Sequence, residues 1–108
     1  MNLAQVRKRA LSLPDATEAP HFDRTSFRVK GRIFVTAKPD EPYVHVFVPD
    51  HVRKRALALH PEHMEKLLWG GKVVGLRICL TSGPVGAVND LIAAAYAAKA
   101  PKTKRPRR

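Results

Sequence analysis

The chain is 108 residues long and has a mass of 12.0 kDa, the size of one ordinary domain and too short for two. Its composition, 44% hydrophobic and 27% charged, fits a globular chain, and its apolar runs break well before the roughly 18 residues a transmembrane helix needs. Twenty Lys and Arg against nine Asp and Glu give a net charge of +11, which directs attention to a polyanionic partner.

A first helix is predicted from Asn2, placed as an N-cap with Gln5 completing a capping box. Leu3, Val6, Ala10 and Leu13 then recur at helical spacing, and Leu13-Pro14-Asp15 ends the pattern. Residues 14–23, with two prolines and three acids, read as loop. Thr25 to Ala37 reads as a hairpin around Lys30-Gly31, rich in strand formers such as Phe27, Val29, Ile33 and Val35. Lys38 to Pro42 is a turn, and Tyr43 to Val48 is a third strand of alternating β-branched residues.

Asp50 is expected to cap a second helix with Val52, Ala56 and Leu59 inward and Pro61 beyond its end. Residues 61–72 are ambiguous: Met64, Leu67 and Leu68 have helical spacing, but Trp69-Gly70-Gly71 breaks the segment. Lys72 to Leu80 reads as a strand, with Gly75 at a bulge or close approach. Thr81 to Pro84 opens a third helix directed inward by Val85, Val88, Ile92 and Tyr96 and ending near Lys99. The domain is thus expected over residues 1–99, with 100–108 a basic tail lacking core residues. The predicted class is α+β: a two-layer sandwich in which helices cover one face of an antiparallel sheet and leave the other open. One string nearly repeats, VRKRALSL from Val6 and VRKRALAL from Val52, and reads as two amphipathic helices drawing on the same helix formers.

Catalytic patterns are absent from the sequence. His60 and His63 lack a third metal ligand of suitable spacing, and Cys79 is expected in a partly buried strand with no base close in sequence to activate it. The loop acids Asp15, Glu18 and Asp23 near His21 read as solvated. No Gly-rich phosphate loop, serine elbow or HExxH occurs. The expectation is therefore a non-enzymatic protein without cofactor or metal. A single cysteine and the lack of an apolar stretch after the basic N-terminus point to the cytoplasm.

Binding is better written. Lys99 to Arg108 hold six bases and no acid, and the preceding residues still carry fourteen bases against nine acids. If Val44, Val46 and Val48 face the helices, alternation puts Tyr43, His45 and Phe47 on the open face. By the same rule Val74, Leu76 and Ile78 inward put Arg77 outward, and Phe27 inward puts Ser26, Arg28 and Lys30 outward. The faces of Arg32 and Phe34 depend on the length of the hairpin turn.

Leu11-Ser12-Leu13-Pro14, Glu18, His21-Phe22, the run Phe27 to Phe34 (FRVKGRIF), Trp69-Gly70-Gly71 and the closing Leu91-Ile92 and Tyr96 together resemble the MmcQ/YjbR-like family of small bacterial proteins over about residues 3–101. The resemblance implies the order α-β(3)-α-β(2)-α, with a short strand near Met64 to Leu68. It also implies DNA binding through two winged hairpins, and no established active site. The chain departs from the family pattern before the tryptophan, where Lys66-Leu67-Leu68 stands. The expected DNA contacts are Arg28, Lys30 and Arg32 on one wing, Lys72 and Arg77 on the other, and Lys102, Lys104, Arg105, Arg107 and Arg108 in the tail. They would grip phosphates with little sequence specificity. DNA is the expected partner, with RNA the alternative polyanion and no membrane. The rival reading is a protein-interaction or chaperone-like module, monomer or homodimer, using Tyr43, His45 and Phe47 on the open face.

Overall fold

The computed structural model describes residues 1–101; the tail residues Lys102, Lys104, Arg105, Arg107 and Arg108 lie outside the described part. The elements are α1 (Leu3–Leu11), β1 (Ala16–His21), β2 (Arg24–Val29), β3 (Arg32–Ala37), β4 (Tyr43–Val46), α2 (Asp50–Leu59), β5 (Met64–Trp69), β6 (Lys72–Cys79) and α3 (Val85–Lys99). The six strands form one antiparallel sheet in the order β1-β2-β3-β4-β6-β5. The α+β class holds, with one strand more than expected ahead of α2.

That strand is β1, and it corrects the reading of residues 14–23 as loop. Ala16 to His21 has weak strand propensity, but every residue pairs with β2, from Ala16 opposite Val29 to His21 opposite Arg24. Pro20 is tolerated because β1 is an edge strand, where a missing donor can face away from the ladder. Residues 61–72, ambiguous by their own spacing, contain the strand that the resemblance implies near Met64 to Leu68. Met64 to Trp69 is a strand, because β6 supplies its hydrogen bonds from Met64 opposite Ile78 to Trp69 opposite Lys72. The third predicted strand is shorter than expected, ending at Val46.

One core lies between the sheet and all three helices. Val6 and Ala10 from α1, Ala56 from α2, and Val88, Leu91, Ile92 and Ala95 from α3 pack with Phe27, Val35, Val44, Val46, Leu76 and Ile78 from the sheet. Each fully buried Phe, Leu or Ile contributes about 1.5–3 kcal/mol of burial free energy. Asn2 closes a capping box on α1, its side chain accepting from the Gln5 amide while the Gln5 side chain accepts from the Asn2 amide.

Three details of the second and third helices differ from expectation. Pro49 occupies the N-cap of α2, and Asp50 is its first residue, with its carboxylate accepting from Arg53 at 2.6 Å. The buried face of α2 carries Arg53 and Ala56, while Leu59 is exposed. On α3 it is Val88, Leu91, Ile92 and Ala95 that turn inward, and Val85 is exposed.

Irregular backbone sets which residues face which way. Lys30 and Gly31 both have positive φ, 51° and 81°, the signature of a two-residue type I′ hairpin turn. A bulge after Phe27 then pairs Arg28 with Ile33 and Phe27 with Val35, leaving Phe34 as the extra residue. Phe34 is consequently buried against α3, its ring edge-on to Tyr96 at 5.6 Å, and Ile33 shares the open face with Arg28. A second irregularity, between Leu67 and Leu68, leaves Val74 half-buried rather than inward.

Candidate nucleic-acid interface

Strand direction decides where the cations gather. With β2, β4 and β5 running one way and β3 and β6 the other, the β2–β3 turn at Lys30-Gly31 and the β5–β6 turn at Gly70-Gly71 leave the same end of the sheet. The midpoints of these hairpins stand three strand spacings apart, about 14 Å. Lys30 and Arg32 flank one tip and Lys72 the other, and all three are exposed. Gly70 and Gly71 both have positive φ, 54° and 82°, which a glycine pair adopts at little cost.

The third helix brings a further cation to this end. It starts beside the end of β6, where the Gly83 amide donates to the Cys79 carbonyl, and its fifteen residues span about 22 Å. Near its far end the Tyr96 hydroxyl donates to the Pro14 carbonyl at 2.6 Å, just before β1 begins. Lys99 there borders the same groove as Gly31, and the described chain ends two residues later at Pro101.

Acidic groups collect at the opposite end. Asp23 in the β1–β2 turn and Asp40 and Glu41 in the β3–β4 turn surround Lys38, whose amino group lies 3.1 Å from Asp23 and 3.7 Å from Glu41. Asp23 is held below the usual carboxylate range by the Lys38 hydrogen bond, and Lys38 is raised in turn. At the hairpin-tip end Asp15 lies 3.6 Å from Lys30 in an exposed pair worth little, and Asp50, at the start of α2 just after β4, is paired with Arg53. Arg32, Lys72 and Lys99 have no carboxylate within ion-pair distance among the described residues.

The remaining predicted contacts stand on the open face, away from the tips. Arg28 donates through Nε to the Ser26 hydroxyl at 2.9 Å and reaches the Pro20 carbonyl. Arg77 donates to Glu65 at 2.6 Å and lies 3.6 Å above the Tyr43 ring centroid, so its charge and both its flanks are engaged. One row of neighbours crosses the sheet from Ala19 through Ser26, Thr36, His45 and Arg77 to Glu65. His45 sits in its middle, lowered to about 4 by burial first and then by the charges of Arg24 and Arg77, and is therefore neutral at pH 7.

The expected aromatic anchors need correction. Phe47 is only 6% exposed, because the Trp69 ring packs edge-on against it at 5.1 Å. Tyr43 is half-buried under Arg77. The aromatic rings that do reach solvent are Phe22, 94% exposed, and Trp69, 52% exposed. Sequence reasoning did not select Phe22, because its segment read as loop and its ring had no strand phase to assign.

No family of known proteins matches the chain, and no curated protein matches it. No helix among the described residues is long and apolar enough to cross a membrane.

Proposed function

We propose that the protein binds double-stranded DNA through phosphates, with the hairpin-tip end of the sheet as the contact surface. The observation that carries this reading is the separation of charge along the strands. Lys30, Arg32, Lys72 and Lys99 lie at one end, the last three without an ion-pair partner among the described residues, and Asp23, Asp40 and Glu41 lie at the other, where they engage Lys38 and Arg24. A field of this kind orients the molecule tip-first toward a polyanion. Two rigid tips about 14 Å apart suit phosphates on either side of a major groove about 12 Å wide. The lysines and arginine at the tips neutralise phosphates whatever the bases, so binding depends on charge and little on sequence. The basic residues from Lys102 onward extend the same sign of charge along the chain.

Fluorescence anisotropy with a labelled duplex tests this reading. The four tip-end cations alone imply a slope of log K on log salt of about −3.6, or roughly a 150-fold loss of affinity between about 50 and 200 mM salt. The triple variant Lys30→Gln, Arg32→Gln, Lys72→Gln should flatten the slope by about 2.7. An unchanged slope in the triple variant, or no binding by the parent chain at low salt, removes the proposal.

A further inference from the structure

We propose that the open face of the sheet holds a second site, for a small organic acid with a flat apolar body and a carboxylate or phosphate head. A groove of about 660 Å³ crosses this face, within the range of small-molecule sites. Its floor is polar, from Arg24, Thr36 and His45; its walls are aromatic, from Phe22, Phe47 and Trp69.

The floor presents hydrogen-bond donors to an anion. Arg24 donates through Nε to the Thr36 hydroxyl at 3.1 Å, which leaves the hydroxyl proton of Thr36 free to donate onward. Glu41 lies 3.7 Å from Nη1 of Arg24, too far for a good hydrogen bond, and Nη2 is buried without a partner among the described residues. The Arg24 side chain keeps 16% of its surface exposed where it borders the groove, so an anionic head there would meet a fixed cation. His45, kept neutral by burial first and then by the charges of Arg24 and Arg77, retains an N–H that can donate to an anion.

The walls supply the apolar half. Phe47 and Trp69 form one edge-on pair, 5.1 Å between centroids. Phe22 supplies a third ring. It sits in the two-residue β1–β2 turn at φ 58°, a left-handed conformation that favours glycine and strains a bulky residue by about 1–3 kcal/mol. Its phenyl ring stands almost wholly in water on the rim of the groove, where a bound ligand would cover it.

Trp69 is the sole tryptophan and lines the groove, so its emission reports occupancy directly. The probes are phenylacetate and phenyl phosphate, with phenylacetamide as the neutral analogue and acetate as the head alone. Saturable change in Trp69 emission is expected with one or both aromatic anions, and the stronger of the two identifies the head. Phenylacetamide and acetate should each bind at least about tenfold more weakly, the loss expected for one charge-assisted hydrogen bond or for the buried ring. Arg24→Gln should weaken the anion about tenfold. Phe22→Ser, at an exposed turn where folding is not at risk, should weaken it by several-fold with an unchanged thermal melt. No saturable response to either anion, an equal response to phenylacetamide, or undiminished affinity in Phe22→Ser overturns the proposal. The titrations use no nucleic acid, so their outcome is separate from that of the DNA measurement.

Discussion

Gly75 is the point at which a single methyl group should do the most harm. It lies on β6, opposite Leu67 and one residue before the Val46–Leu76 pair that joins β4 to β6. A Cβ there would overlap the Val46 carbonyl oxygen and stand 3.0 Å from the Phe47 Cα. Both obstacles are backbone, so no side-chain rotation relieves them. Strand β6 would have to move away from β4, and β4–β6 is the ladder that joins β5 and β6 to the other four strands. Overpacking costs about 1–3 kcal/mol, and an immovable backbone contact puts Gly75→Ala near the top of that range. The loss of unfolded-chain freedom returns about 0.4–1 kcal/mol, so a net destabilisation of about 2–2.6 kcal/mol is expected. For a domain of this size that is a fall in Tm of roughly 10–20 °C. Gly86, in the first turn of α3, is the control, because a Cβ there meets open space. Gly86→Ala should leave the melt unchanged or raise it slightly. Differential scanning calorimetry of both variants decides the matter. A Gly75→Ala protein melting within about 3 °C of the parent would refute the close approach of β4 and β6.

Acid titration should expose His45. Its proton affinity is depressed to about 4 in the folded protein against 6.5 for the free group, so the unfolded chain binds more protons between these values. Stability should therefore be full above about pH 6.5 and fall as the pH drops toward 4, by on the order of 1 kcal/mol after discounting for partial exposure. Denaturant melts at several pH values measure this, and His45→Gln should remove most of the dependence. Glu18, held low first by its hydrogen bond from Arg7, continues the loss below the carboxylate range. Cys79 is perturbed as well, lowered to about 7 by hydrogen bonds from Ser82 and Thr81. Its alkylation by iodoacetamide should reach half its maximal rate near pH 7, and Ser82→Ala should move that midpoint upward; a parent midpoint at the ordinary thiol value would contradict the hydroxyl contacts.

Much of the fold was legible because the core positions carry strong periodic signals. Val44, Val46, Leu76 and Ile78 alternate, and the capping box at Asn2 and Gln5 is a local pattern needing no partner. The two edge strands are weakly marked in their own residues for a physical reason, β1 reading as loop and β5 as ambiguous apart from the strand the resemblance implies. Ala16 to His21 and Met64 to Trp69 have one neighbour each, so their conformation is imposed by β2 and β6 rather than by their own propensity. Of the predicted contact residues, Lys30, Arg32 and Lys72 lie at the tips because each flanks a turn the sequence marked with glycine. Arg77 could not be placed among free or engaged cations until Glu65 and Tyr43 were known to flank it.

The near-repeat separates what each level decides. The sequence alone determined that VRKRAL is helical in both places, since good helix formers and apolar spacing act within one turn. It did not determine which side of the helix is inside. In α1 Val6 is fully buried and Arg7 reaches out to Glu18; in α2 Val52 is half-exposed and Arg53, 7% exposed, is the buried residue, paired with Asp50. Helix formation depends on neighbours along the chain, whereas burial depends on the surface each helix meets, and α1 and α2 dock on different parts of the sheet.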